Sequence, residues 1–211
     1  MDIDLDFDID FSAPEQKKTS GSNTLESKLV KDAAIKRIIK NNEIHYIKAK
    51  ALSDLCETPK QNEQYRIITE KQFNAYALIL HLLETRDIDE MYLAIYRINE
   101  PTVNSIIDFI LSGKIKKSVF VISNFFNQTK KPEKWAIKLK TFCYEHPEIT
   151  SHVYTHNHSK ILAIKSRSDY FVFEGSGNMS NNARIEQYLY ENNKQSYDFH
   201  KEWMINICNN G

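Results

Sequence analysis

The sequence predicts an α/β fold: a mixed, largely parallel β-sheet flanked by helices on both faces. Three observations carry this. Between Met91 and Thr155, apolar and β-branched runs alternate with amphipathic stretches of helical length, the pattern of βαβ units. Two further runs, Ile161–Ile164 and Tyr170–Phe173, flank a polar turn, Lys165–Asp169. They read as a β-hairpin, which makes the sheet mixed. Finally, 211 residues can enclose one sizeable core without disulfide support.

The elements follow in order. From Met1 to Phe11, Asp at 2, 4, 6, 8 and 10 alternates with Ile3, Leu5, Phe7, Ile9 and Phe11, and Ser12–Thr24 has a linker composition. Residues 1–25 are therefore expected to be a disordered, solubilising acidic and hydrophobic tail with its linker. The alternatives are that residues 2–11 dock on a protein partner as an added strand, or cover the active site in place of a polyanion. Leu25–Lys40 has the spacing of a short amphipathic helix. Glu43–Lys50 reads as a strand, Leu52–Glu63 as a loop and Gln64–Thr69 as a strand, with Thr69 capping a helix Glu70–Thr85. The alternating region predicts strands Met91–Ile98, Ser118–Ser123 and Ile149–Thr155, with helices Pro101–Leu111 and Glu133–His146 between them. After the hairpin come a strand Glu186–Glu191 and a closing helix Ser196–Ile207, whose aromatics at helical spacing are expected in the core or at a dimer interface. Residues 26–211 are thus expected to form one domain with its core at about 64–211.

Charge is balanced overall, with 28 basic and 28 acidic residues. Six acids and two bases fall in residues 1–25, so this segment carries −4 and the remainder +4. A mildly basic body is compatible with a polyanionic substrate. Lysines at 114, 116, 117, 130, 131 and 134 fall in predicted loops or at a helix start, where they can grip a phosphate backbone. Cys56, Cys143 and Cys208 are scattered and lack metal-ligand spacing, which indicates reduced thiols. No apolar run spans a membrane and the acidic start is unlike a signal peptide. A cytoplasmic protein, bacterial or encoded by a phage or mobile element, is expected.

The chemistry concentrates between His158 and Glu186. Side chains two apart on a strand share a face, so His158 and Lys160 project together, as do Ser176 and Asn178. An imidazole, an ammonium, a hydroxyl and an amide then converge, while Gly175 and Gly177 let backbone approach a ligand. This set suits an oxyanion, above all phosphate. The histidine is the member able to attack phosphorus or move a proton near neutral pH.

His158-Ser-Lys160, the hairpin and Gly175-Ser-Gly-Asn178 resemble the phospholipase D superfamily signature, H-x-K followed by an Asp and then G-S-x-N, a superfamily that includes small nucleases with one motif per chain. The resemblance implies a phosphodiesterase in which His158 forms a phosphohistidine while Lys160, Ser176 and Asn178 hold phosphoryl oxygens. It also implies that Glu186 orients the nucleophilic imidazole. Where the superfamily has its Asp, five residues after the Lys, this chain has Lys165, and Asp169 is the nearest acid. His156 and Arg97 are further candidates: His156 shares the strand face of His158 as a supporting or substrate contact, and Arg97 and Asn124 end predicted strands where α/β sheets bind ligands.

One motif supplies one histidine where the superfamily's mechanism uses two, so a homodimer with the two His158 side chains meeting in a shared site is expected. Nothing in the motif calls for a metal or cofactor. The expected activity is metal-independent cleavage of nucleic-acid phosphodiester bonds. A nucleic-acid-binding or assembly protein on the same fold is the alternative, and phospholipid hydrolysis ranks third because no membrane-binding stripe is present.

Overall fold

A computed structural model describes residues 33–38, 41–46, 52, 56–70, 74–127, 132–180 and 185–210. The expected tail at residues 1–25 lies outside them. Among the described residues nine strands form one sheet: β1 Ala33–Ile38, β2 Asn41–Tyr46, β3 Gln64–Glu70, β4 Glu90–Ile95, β5 Ser118–Ser123, β6 Thr150–Thr155, β7 Lys160–Ser166, β8 Asp169–Gly175 and β9 Ile185–Asn192. Their order across the sheet is β2-β1-β3-β9-β8-β7-β4-β5-β6. The described residues also form four α-helices: α1 Tyr76–Leu83, α2 Glu100–Leu111, α3 Lys134–Glu145 and α4 Lys194–Asn210.

The α/β class and the mixed sheet agree with the sequence, but the parallel share is smaller than expected. Among the described residues only β4–β5 and β5–β6 pair in parallel, and the other six ladders are antiparallel. Connection length explains this. A parallel pair needs a long crossover, which only α2 and α3 provide, whereas β7 and β8 are joined through Arg167 and Ser168 alone. Arg167 takes φ 56° in that turn.

Residues of opposite parity along the strands serve two cores. Leu93, Phe120, Leu162, Phe171 and Tyr188 face Leu82 of α1, Ile106 of α2 and Leu139 of α3, all within one buried cluster. Tyr92, Ala94, Val121, Ala163 and Val172 face Tyr197 and Met204 of α4. Helices therefore cover both faces, three on one and one on the other. Among the described residues no helix is long and apolar enough to cross a membrane.

Two predicted helices are corrected. Within the expected helix 25–40, residues Ala33–Ile38 form β1, paired on both sides by β2 and β3; ladder partners on two edges outweigh a weak helical pattern with β-branched isoleucines. The helix expected from Glu70 begins at Tyr76. Thr69 does not cap it, because β3 continues to Glu70 in register with Ile185 of β9. Asn74 takes the place expected of Thr69, accepting from the Tyr76 N–H at 2.9 Å.

Candidate active site

The topology puts the carboxyl ends of β4, β5, β6 and β8 and the amino ends of β7 and β9 at one edge of the sheet. Open α/β sheets bind ligands at that edge. The segment His156–Ser159 is what exposes chemistry there. It carries the chain from the edge strand β6 past β5 and β4 to β7, three strand spacings or about 14 Å, with five residue steps that reach about 17 Å at most. It must run nearly extended across the strand ends. Asn157 pins it: the buried amide donates to the Val121 carbonyl at 2.9 Å and its oxygen accepts from the Ser159 N–H at 2.9 Å. His156 and His158, on either side, are left exposed.

Lys160 opens β7, opposite Ile95. Its Nζ lies 3.0 Å from His158 Nδ1 and donates to the His158 carbonyl at 2.8 Å. The ammonium also lies 5.6 Å from the centre of the Tyr96 ring, whose centroid is 4.7 Å from that of His158. Burial lowers the lysine's pKa from the ordinary ammonium value, opposed by the nearby Glu186 carboxylate.

Ser176 follows β8 and reaches across to β9. Its hydroxyl donates to the Glu186 carboxylate and accepts from the Gln187 N–H at 3.0 Å. Gly175 is required between them: a Cβ there would stand 2.1 Å from the Gln187 carbonyl oxygen and 2.5 Å from Tyr188 Cδ1. Gly177 is buried beside it. Asn178 accepts from the Arg97 N–H at 3.2 Å, and the bridge between Ile98 and Met179 fastens this loop to the segment that follows β4. His158, Lys160, Gly175 and Ser176 line one open cleft of about 720 Å³, joined by Arg66, Glu174 and Gln187.

The structure therefore brings His158, Lys160, Gly175 and Ser176 together, with Glu186 and Asn178 adjoining. Glu186 takes its described hydrogen bond from Ser176, whereas the His158 ring is met by Lys160 and Tyr96. His156 shares a second cavity with His158, Tyr96, Asn124 and Phe125. Among the described residues no group of three or more His, Cys, Asp or Glu is placed to hold a metal. The Arg97 guanidinium turns to Glu133 at 3.3 Å and lies 5.5 Å from the Phe126 ring centre, on the rim of a neighbouring crevice.

Asp169 is a correction. It pairs with Ser166 at the far end of β7, about 20 Å along the strand from Lys160. There it binds Arg86 at 2.6 Å and accepts from the Asn192 amide at 2.9 Å. Lys165, at the position where the resemblance has an acid, is also at that end, 3.7 Å from Glu90. Neither touches the cleft. The sequence motif does not include Tyr96, Phe125, Asn157, Glu174 or Arg66, which also line the two cavities. Tyr96 falls inside the predicted strand Met91–Ile98, although its place at the end of a parallel strand is a usable signal.

No protein-family model and no curated protein matches the chain. Among solved structures it is similar to a phosphatidylserine synthase from Haemophilus influenzae, with TM-score 0.46 and 12% identity, covering 79% of this chain and 41% of that one. It is also similar to a mutant of yeast tyrosyl-DNA phosphodiesterase, with TM-score 0.31 and 13% identity, covering 50% of this chain and 25% of that one. The chain thus spans less than half the length of either structure.

Proposed function

We propose that the chain is a metal-independent phosphodiesterase that cleaves nucleic acid through a phosphohistidine on His158. The observation that carries this reading is the contact between Lys160 Nζ and His158 Nδ1 in a cleft shared with Ser176. A nucleophile and a fixed positive charge stand together where an oxyanion can enter.

In the proposed reaction two copies of the chain place their His158 side chains on either side of the phosphate. One imidazole nitrogen attacks phosphorus, forming a P–N bond as the P–O bond to the leaving group breaks. The second imidazole gives its proton to that leaving oxygen. Water then attacks phosphorus and returns a proton to the second imidazole as the P–N bond breaks. Lys160 of each copy balances the charge on the phosphoryl oxygens, with Asn178 at hand as a further polar group and the Ser176 hydroxyl able to donate once it turns from Glu186.

The test is cleavage of supercoiled plasmid and single-stranded DNA in excess EDTA, wild type beside His158→Ala. Cutting by wild type alone, with an acid-labile phosphoprotein trapped on mixing, is expected. Equal cutting by both proteins overturns the mechanism. Retarded but uncut DNA with both replaces it by the binding or assembly reading, and activity seen only on phospholipid vesicles replaces the substrate.

A further inference from the structure

The cavity on the other side of His158 is lined by Tyr96, Ser123, Asn124, Phe125 and His156, with a volume of about 480 Å³. Its aromatic members are arranged for a planar guest. Phe125 is the middle residue of the short 3₁₀ turn after β5 and keeps 59% of its surface exposed, unlike its buried neighbour Phe126. The Phe125 and Tyr96 rings have centroids 6.3 Å apart and are inclined by 30°. The Tyr96 ring in turn borders both His158 and Lys160. An aromatic wall thus begins at His158 and Lys160 and runs outward to an exposed phenyl ring.

The rim is polar. Ser123, Asn124 and His156 bring a hydroxyl, an amide and an imidazole to the same cavity, groups able to meet the donor and acceptor edges of a heterocycle. A flat apolar guest with polar edges, attached to a phosphodiester, is a nucleobase. An acyl chain has no use for that rim.

We infer that the cavity formed by Tyr96, Asn124 and Phe125 beside His158 is a nucleobase subsite, with Phe125 as the stacking surface. The guest must be unpaired, since a base within a duplex presents no free face to the ring. This inference rests on the phosphodiesterase reading and narrows its substrate to single-stranded nucleic acid.

The test compares a fluorescent eight-residue deoxythymidylate with the same backbone carrying abasic spacers. Binding is read by anisotropy and cleavage by gel, in wild type, Phe125→Ala and Phe125→Trp. Wild type is expected to bind the thymidylate about ten-fold more tightly than the abasic strand, as one stacked base is worth. The ratio should fall toward one in Phe125→Ala and return in Phe125→Trp. Equal binding of the two strands by wild type, or a ratio unchanged in Phe125→Ala, overturns the subsite whether or not either strand is cut. A base preference that depends on Phe125 without cleavage leaves the subsite standing and removes the phosphodiesterase reading.

Discussion

Lys160 Nζ lies 3.0 Å from Nδ1 of His158 and 2.8 Å from its carbonyl oxygen, so one ammonium holds both the ring and the backbone of the residue two before it. An ammonium only donates, so Nδ1 is the acceptor and the neutral ring carries its proton on Nε2. A general acid is instead the imidazolium, protonated on both nitrogens, and an attacking nitrogen carries no proton. In the proposed reaction, phosphate oxygens must therefore draw Lys160 off Nδ1 before the ring can take up either form.

Replacement of Lys160 is therefore expected to damage the chemical step as well as binding. Lys160→Met should lower kcat on a phosphodiester by about 10²- to 10³-fold and raise KM. Lys160→Arg should recover KM more than kcat, because a guanidinium binds phosphate but lacks the ammonium's point geometry on Nδ1. Steady-state kinetics over pH 5–9 on the three proteins decide it, and wild-type kcat in Lys160→Met sinks the assignment.

Ser176 and Glu186 form a second pair. The one proton of the Ser176 hydroxyl is given to the Glu186 carboxylate, so under the proposed function Glu186 acts on the site through the serine. Ser176→Ala and Glu186→Gln should each reduce kcat/KM by about ten-fold, and the double variant should fall little further, since linked residues are not additive. Losses that multiply in the double variant place the two in separate roles, with Glu186 free to serve His158 directly.

Asn157 holds the histidine-bearing crossing in place with two hydrogen bonds from one buried side chain. Asn157→Ala should cost about 2 kcal/mol of stability and also lower kcat at temperatures where the variant is fully folded, because His158 is released from its fixed entry to β7. Circular dichroism melts alongside turnover at 15 °C separate the two effects. Wild-type kcat in folded Asn157→Ala shows that Lys160 alone positions the ring.

The contrast between Asn157 and the motif residues shows what a sequence exposes. Spacing alone placed His158 with Lys160 and Ser176 near them, because a period of two and a short hairpin are local properties. The central strands from Met91 onward were legible for the same reason, each run being bounded by its own turn residues. Partners were not legible. Lys165 goes to Glu90 and Asp169 to Arg86 because the order β8-β7-β4 brings distant segments together, and no local pattern encodes strand order. Thr69 looked like a helix cap for the same reason: its ladder partner Glu186 is far away in sequence. Asn157 gave no signal, since its role depends on the gap between β6 and β7 that it helps to bridge.

The attachment of α4 to the sheet makes stability depend on pH in a defined window. Glu90, at the start of β4, accepts from Lys201 Nζ at 2.6 Å, from the Tyr92 hydroxyl at 2.7 Å and from the Tyr197 hydroxyl at 3.0 Å. Burial disfavours its charged form, but the bonds from Lys201, Tyr92 and Tyr197 outweigh it and lower the carboxyl from 4.5 to about 2. The folded state therefore binds this proton less readily than the unfolded chain. The stabilisation is complete above about 4.5 and is lost as pH falls through about 2. Glu90→Gln should destabilise by on the order of 2 kcal/mol at pH 7, a fall in Tm of roughly 5 °C. The gap between wild type and variant should hold from pH 7 to pH 5 and then close as the acid form of Glu90 populates. A gap that stays constant down to pH 2.5 means that the loss in Glu90→Gln does not come from the carboxylate's charge.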